Sequence, residues 1–315
     1  MNSHSCCVYL GDKLAAYAFG NDHPFGPQRH YVFEQAFYQQ ALDYKVDILA
    51  PVKTDQRTLA LFHTEKYIQK VIEQSKFGVG YLDNGDTPAF AGMYEAVCYV
   101  AGSVVDAIEQ LMKGHYKKAF IPIAGLHHAR RHTAAGFCVI NDCGIAIETL
   151  LKQYNLQRVA YVDIDAHHGD GVFYSFEEDP RLIFVDMHED GQFLYPGSGA
   201  ISETGKGEGT GKKLNIPMPP NADDDLFFKI WPRVEKFLAK HQPQFILFQC
   251  GADSIKGDPI THLAYSEKAH AYATKRLCEM AEQYCGGKLL VMGGGGYNLN
   301  NIAKTWTAVV NALIE

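Results

Sequence analysis

The 315-residue sequence predicts an α/β fold in one domain, with three layers (α/β/α) built on a central, mostly parallel sheet. Three observations carry this. From about residue 118 onward, short apolar runs alternate with amphipathic stretches. The runs lack the polar–apolar alternation of a half-exposed strand, so both faces of the sheet are covered. Several of them exit into polar or glycine-rich sequence, as expected where functional groups gather at the carboxyl edge of a parallel sheet.

Taken in order, residues 20–34 (GNDHPFGPQRHYVFE) form a turn-rich loop that leads into a helix from about Pro27. Residues 77–92 form a second long loop. Loops of this size tend to be functional, and these two suit the rim of a pocket. KKAFIPIAG (117–125) reads as a strand, followed by a helix near 141–154. RVAYVDID (158–165) and RLIFVDMH (181–188) are strands, then a helical stretch spans 223–240. FILFQCG (245–251), a helix at 266–284, KLLVMGG (288–294) and a helix at 299–313 complete the pattern. The strands at 117–125, 158–165, 245–251 and 288–294 exit into GLHHARRH, AHHGDG, GADSIKGD and GGGGYN, four chemically loaded ends aimed at one face.

No linker, repeat or low-complexity tract interrupts the chain, so residues 1–315 read as one unit. A content of 47% hydrophobic and 21% charged residues is ordinary for a soluble globular protein. The net charge of −7 argues against a nucleic-acid binder and suits a cationic substrate. The basic cluster Arg130, Arg131 and His132 is too short to suggest more. Eight cysteines form no C-x-x-C pair, which removes a zinc knuckle or thioredoxin-like motif and leaves buried thiols as the expectation. No signal peptide and no apolar run of about 18 residues are found, so a cytoplasmic protein without a membrane span is expected.

The most informative stretch is YVDIDAHHGDG, residues 161–171. Side chains alternate along a strand, so Asp165 and His167 project to one side and can converge on a divalent cation. A buried strand does not tolerate three carboxylates unless something neutralises them. Asp253 in GADS is the best third ligand, although it also reads as a helix N-cap or turn residue. Two carboxylates and one imidazole balance a divalent charge and leave room for water and a substrate oxygen. Asp163 and Asp170 are surplus to the metal, while His127 and His128 need orienting. Two Asp–His dyads beside the metal give a general base and a general acid for hydrolysis. Tyr297, after four glycines, can donate to a developing oxyanion, and equally reads as an ordinary core or surface tyrosine. Phe137 and Tyr195 read either as core aromatics or as walls of a narrow channel.

With these motifs assembled, the chain resembles the zinc-dependent histone deacetylase family, of arginase/deacetylase-like fold. The likeness is to its bacterial acetoin-utilisation-type deacetylases and acetylpolyamine amidohydrolases. It runs through HPFGPQRH, LHHARRHTAAGFCVIND, YVDIDAHHGDGV, FLYPGSG, LNIPMPP, GADSIKGDP and GGGGYNLNNIAKTW, nearly the whole chain. The resemblance implies zinc, or ferrous iron in the cell, on Asp165, His167 and Asp253. It pairs His127 with Asp163 and His128 with Asp170, and makes His128 the base and later the acid. His127 gives electrostatic support, and Tyr297 polarises the acetyl carbonyl. The Gly136 carbonyl accepts the substrate amide, Phe137 and Tyr195 flank the alkyl chain, and Asp86 is a rim acid.

A structural potassium ion near Asp163, Asp165, His167, Asp186 and Met187 is also implied. Asp186 stands where many members place serine. Leu126 replaces a common Trp or Gly. Ile260 occupies a position where polyamine specialists carry an acidic gatekeeper, a task left to Asp22 or Asp86. The expected substrate is therefore a small cationic acetylated amine or an acetyl-lysine peptide, with the oligomeric state left open. A binuclear manganese hydrolase of ureohydrolase type and a non-catalytic acetyl-amine-binding module are the competing readings.

Overall fold

The structure, a computed structural model, describes residues 4–20 and 23–315. Asp22 lies outside the described residues. Among the described residues eight strands run along the chain: β1 (Cys6–Tyr9), β2 (Asp47–Leu49), β3 (Lys118–Ile121), β4 (Val159–Asp163), β5 (Leu182–Glu189), β6 (Lys213–Met218), β7 (Phe245–Gln249) and β8 (Leu289–Met292). They form one sheet in the order β2-β1-β3-β8-β7-β4-β5-β6, and every pairing is parallel. The expected sheet was mostly parallel; the observed one is wholly so.

The helices are α1 (Asp12–Ala15), α2 (Gln28–Gln39), α3 (Gln56–Leu59), α4 (Glu65–Phe77), α5 (Met93–Met112), α6 (Asp142–Glu148), α7 (Asp170–Ser175), α8 (Asp224–Ile230), α9 (Pro232–His241), α10 (Glu267–Cys285) and α11 (Leu299–Ile314). The stretch expected as one helix at 223–240 is two. Pro232 opens α9 directly after Trp231, because proline suits a first turn and breaks an interior one. After α6 the helix widens into a π-helical turn over Thr149–Gln153. Among the described residues no helix is long and apolar enough to cross a membrane.

Register shows how the two faces are covered. Phe120, Val291, Phe248 and Val162 are partners across β3, β8, β7 and β4, so they share one face. Phe120 meets Phe33 of α2 and Trp306 of α11 there, with ring centroids 5.3 and 6.2 Å away. Tyr161, one residue out of phase, points to the opposite face, where its hydroxyl lies 3.7 Å from Cys143 Sγ of α6. The sheet is therefore the middle of three layers. Its four central strands, β3-β8-β7-β4, are the ones with loaded carboxyl ends. All eight cysteines are free and buried.

Three strands escaped the sequence pattern. β2 has three residues, β1 has four, and β6 carries Pro217 at the sheet edge, where a missing N–H is tolerated.

Buried histidines make this fold acid-sensitive. His63 Nε2 accepts the Asn141 N–H at 2.9 Å, and His30 Nε2 accepts that of Gly11 at 3.3 Å. Burial pulls the His63 imidazole down to about 3 and that of His30 to about 4. An unfolded histidine titrates near 6.5, so below that pH the unfolded chain binds protons that the fold refuses. Stability is therefore complete above about pH 6.5 and declines as pH falls towards about 4. The urea midpoint is expected to drop across that window. His63→Gln, which still offers an acceptor and does not titrate, should show a smaller drop; a flat wild-type profile would contradict the assignment.

Candidate metal centre and acyl pocket

Asp165 and His167 leave the end of β4, and Asp253 sits in the single turn after the adjacent strand β7. His167 Nδ1 lies 3.0 Å from Asp165 Oδ1 and 3.2 Å from Asp253 Oδ2. One ligand atom from each residue falls within 4.8 Å of the others, the one such group among the described residues. The three are 1%, 7% and 0% exposed. Their remaining oxygens are pinned. Asp165 Oδ2 accepts from Gln249 Nε2 at 2.8 Å and from the Gly295 N–H at 2.9 Å. Asp253 Oδ1 accepts from the Ala166 N–H at 2.9 Å.

This donor set fits a divalent cation. Burial and the neighbouring Asp165 push the Asp253 carboxyl up to about 7, the mark of buried anions short of counter-charge. A divalent ion would supply that charge. The binuclear alternative needs further bridging carboxylates, and only this one group occurs among the described residues.

The histidine pair follows β3 and faces the metal group. His127 Nδ1 lies 2.8 Å from Asp163 Oδ2, and His128 Nδ1 lies 2.8 Å from Asp170 Oδ1. The two Nε2 atoms are 3.1 Å apart. A separation that short leaves room for one proton, so the rings take opposite roles. Burial opposes a charge on His127, but Asp163 and Asp165 outweigh it and hold the imidazole at about 10. Burial, then the charge on His127, lowers His128 to about 4. Both the burial and the charged neighbour favour a neutral His128. The backbone beneath is fixed from α6: Asp142 accepts the Gly125 and Leu126 N–H groups at 2.8 and 2.6 Å. Asn141 Nδ2 donates to the carbonyls of His127 and Ala129 at 3.0 and 2.8 Å.

The glycine run after β8 is a close-approach device. A Cβ on Gly295 would lie 2.1 Å from Asp253 Oδ2, so no side chain fits there. The fully buried Arg29 of α2 donates to the carbonyls of Gly294 and Gly296 at 2.6 and 2.7 Å. Asp258 accepts the Tyr297 N–H at 2.8 Å and so aims the phenol.

A cavity of about 330 Å³ leads to this centre, lined by Asp86, Phe137, Tyr195, Ile260 and Tyr297 among others. Gly136 and both His128 and His167 also face it. The Phe137 ring lies 5.8 Å from that of Tyr297, and the Tyr195 ring 5.2 Å from that of His128. Gly136 takes a φ of +54°, and a Cβ there would sit 2.4 Å from His128 Cδ2. Asp86 Oδ1 accepts from the Gly136 N–H at 3.2 Å, tying the rim to the wall. Tyr195 and Ile260 are 44% and 37% exposed, as rim residues would be.

Asp186 lies beside Asp163 at the carboxyl edge of the sheet. It is the register partner of Asp163, and Met187 follows it in β5, both buried. Its Oδ1 lies 2.7 Å from His188 Nδ1, and its Oδ2 accepts the Gly169 N–H at 2.8 Å. The extra carboxylate is thus engaged by protein donors. The supporting residues Arg29, Gln249, Asn141, Asp142 and Asp258 were given no role by the sequence, although most lie inside or beside recognised motifs.

Comparison with known proteins agrees with this geometry. The family model described as the histone deacetylase domain matches residues 23–313. Acetoin utilization protein AcuC of Bacillus subtilis (strain 168) is 36% identical over 306 residues, 93% of this chain and 78% of that protein. Histone deacetylase HDAC1 of Drosophila melanogaster is 33% identical over 319 residues, 98% of this chain and 60% of that longer protein. The crystal structure of the HDA15 HD domain matches with a TM-score of 0.89 at 25% identity, covering 99% of this chain and 88% of that one. The chain belongs to the histone deacetylase family.

Proposed function

We propose that residues 1–315 form one catalytic domain, a metal-dependent amidohydrolase that releases acetate from an acetylated primary amine. The substrate is an acetyl-lysine side chain or a small acetylated diamine or polyamine. One observation carries the reading: a buried Asp165–His167–Asp253 group shares a narrow cavity with His128 and the Tyr297 phenol. Zinc, or ferrous iron, would be held by those three side chains. When bound, such an ion supplies Lewis-acid polarisation of the acetyl carbonyl and acidifies water at the site.

The protein's own groups do the rest. Asp170 holds His128 through Nδ1, so Nε2 takes a proton from the attacking water as oxygen bonds to the acetyl carbon. The same Nε2 then gives the proton to the amine nitrogen as the C–N bond breaks. His127, kept charged by Asp163, favours the negative charge that develops on the carbonyl oxygen. Burial, then the charge of Asp253, raises the Tyr297 phenol well above its ordinary range, so it stays protonated and donates to that oxygen. The Gly136 carbonyl accepts the amide N–H, while Phe137 and Tyr195 flank the alkyl chain. Asp86 attracts a distal ammonium. A structural potassium ion near Asp163, Asp165, His167, Asp186 and Met187 belongs to the same proposal.

Chelation is expected to abolish acetate release and zinc to restore it; release that survives chelation, or two tightly held manganese ions per chain, would remove the reading. Tyr297→Phe should lower kcat by about 10²- to 10³-fold with metal content unchanged by elemental analysis. Unaltered turnover would refute the oxyanion role. Acetyl-lysine peptides, acetylputrescine and acetylcadaverine assayed side by side should all be turned over. Activity confined to peptides would eliminate the small-amine half.

A further inference from the structure

We propose that Arg130 is a positioning residue for the general base, holding Asp170 from the solvent side; this rests on the deacetylase reading above. The two dyads are backed differently. Asp163 is locked from within: its Oδ2 accepts the Tyr161 hydroxyl at 2.6 Å and its Oδ1 the Asp165 N–H at 3.0 Å. Asp170 gives Oδ1 to His128, and its Oδ2 accepts from Arg130 Nη2 at 3.3 Å. The arginine side chain is 50% exposed and the carboxylate 3%. A hydrogen-bonded chain therefore runs outward from His128 through Asp170 to one guanidinium at the surface.

Local structure places Arg130 for this. It follows His128 by two residues and starts a tight turn in which its N–H donates to the Thr133 carbonyl at 2.9 Å. Its guanidinium lies 5.9 Å from the ring of Tyr174, on the helix α7 that Asp170 opens. Base, carboxylate and arginine are thus held between two adjoining segments. Arg130 also lines the outer cavity of about 520 Å³ with Asp83, Asp86 and Tyr195, at the tunnel mouth.

Two effects follow. A donor on Oδ2 fixes the carboxylate plane, and hence the aim of His128 Nε2. It also spreads the charge of Asp170, which keeps His128 from becoming too basic to give up its proton. An exposed ion pair is worth little by itself. Here the anionic end is desolvated and the pair sits one hydrogen bond from the ring that carries the reacting proton, so its effect falls on the rate constant.

The test compares zinc-reconstituted wild type with Arg130→Ala and Arg130→Lys. For Arg130→Ala, kcat is expected to fall about three- to fivefold, with KM and melting temperature unchanged. Arg130→Lys should recover most of the loss. In the same samples, the downfield proton resonance of the His128–Asp170 hydrogen bond should move or broaden in Arg130→Ala and return in Arg130→Lys. An unmoved resonance, an unchanged kcat, a loss carried by KM, or a lysine variant no better than alanine would each overturn the proposal. If the wild type itself released no acetate, the deacetylase reading would fail, and the resonance alone would decide whether Arg130 governs the dyad.

Discussion

The structure depends on burying five carboxylates at one edge of a parallel sheet. Asp163, Asp165, Asp170, Asp186 and Asp253 are each at most 2% exposed. Each would cost several kcal/mol if left unpaired. Three are answered inside the protein: Asp163 by His127 and Tyr161, Asp170 by His128 and Arg130, Asp186 by His188 and a backbone N–H. Asp165 and Asp253 share His167, and Asp165 Oδ1 also lies 3.9 Å from His127 Nε2. The surplus negative charge is local, and it falls where the cavity ends.

Holding that surplus in place falls to the backbone and to uncharged donors. Gln249 and the Gly295 N–H fix one carboxylate, and the Ala166 N–H fixes the other. Neutral donors orient an anion without cancelling its charge, which keeps the site attractive to a cation. The same logic explains the glycines. At Gly295 the chain passes so close to Asp253 that a methyl group would displace its carboxylate.

Much of this was legible in the sequence because it violates ordinary rules. Carboxylates at the end of an apolar strand announce themselves, and so does a histidine pair after another. Strands β3, β4, β5, β7 and β8 were readable because both faces are covered and the apolar runs are unbroken. β1, β2 and β6 were not, being short or interrupted by Pro217 at an edge. Arg29 and Arg130 were opaque for another reason. A single arginine has no periodicity, and nothing local distinguishes the buried one from the half-exposed one. The pairing of Asp186 with His188 is a tertiary choice between two neighbouring side chains, which no motif announces.

The bond from Arg29 to Gly294 and Gly296 has a consequence for biosynthesis. It joins the first tenth of the chain to the last, and β8 lies between β3 and β7 in the sheet. A ribosome must therefore deliver β8 and the glycine run after it before the centre of the sheet can close. Until then the acidic ends of β4 and β7 remain open to water. The four chemically loaded strand ends come together only after that point.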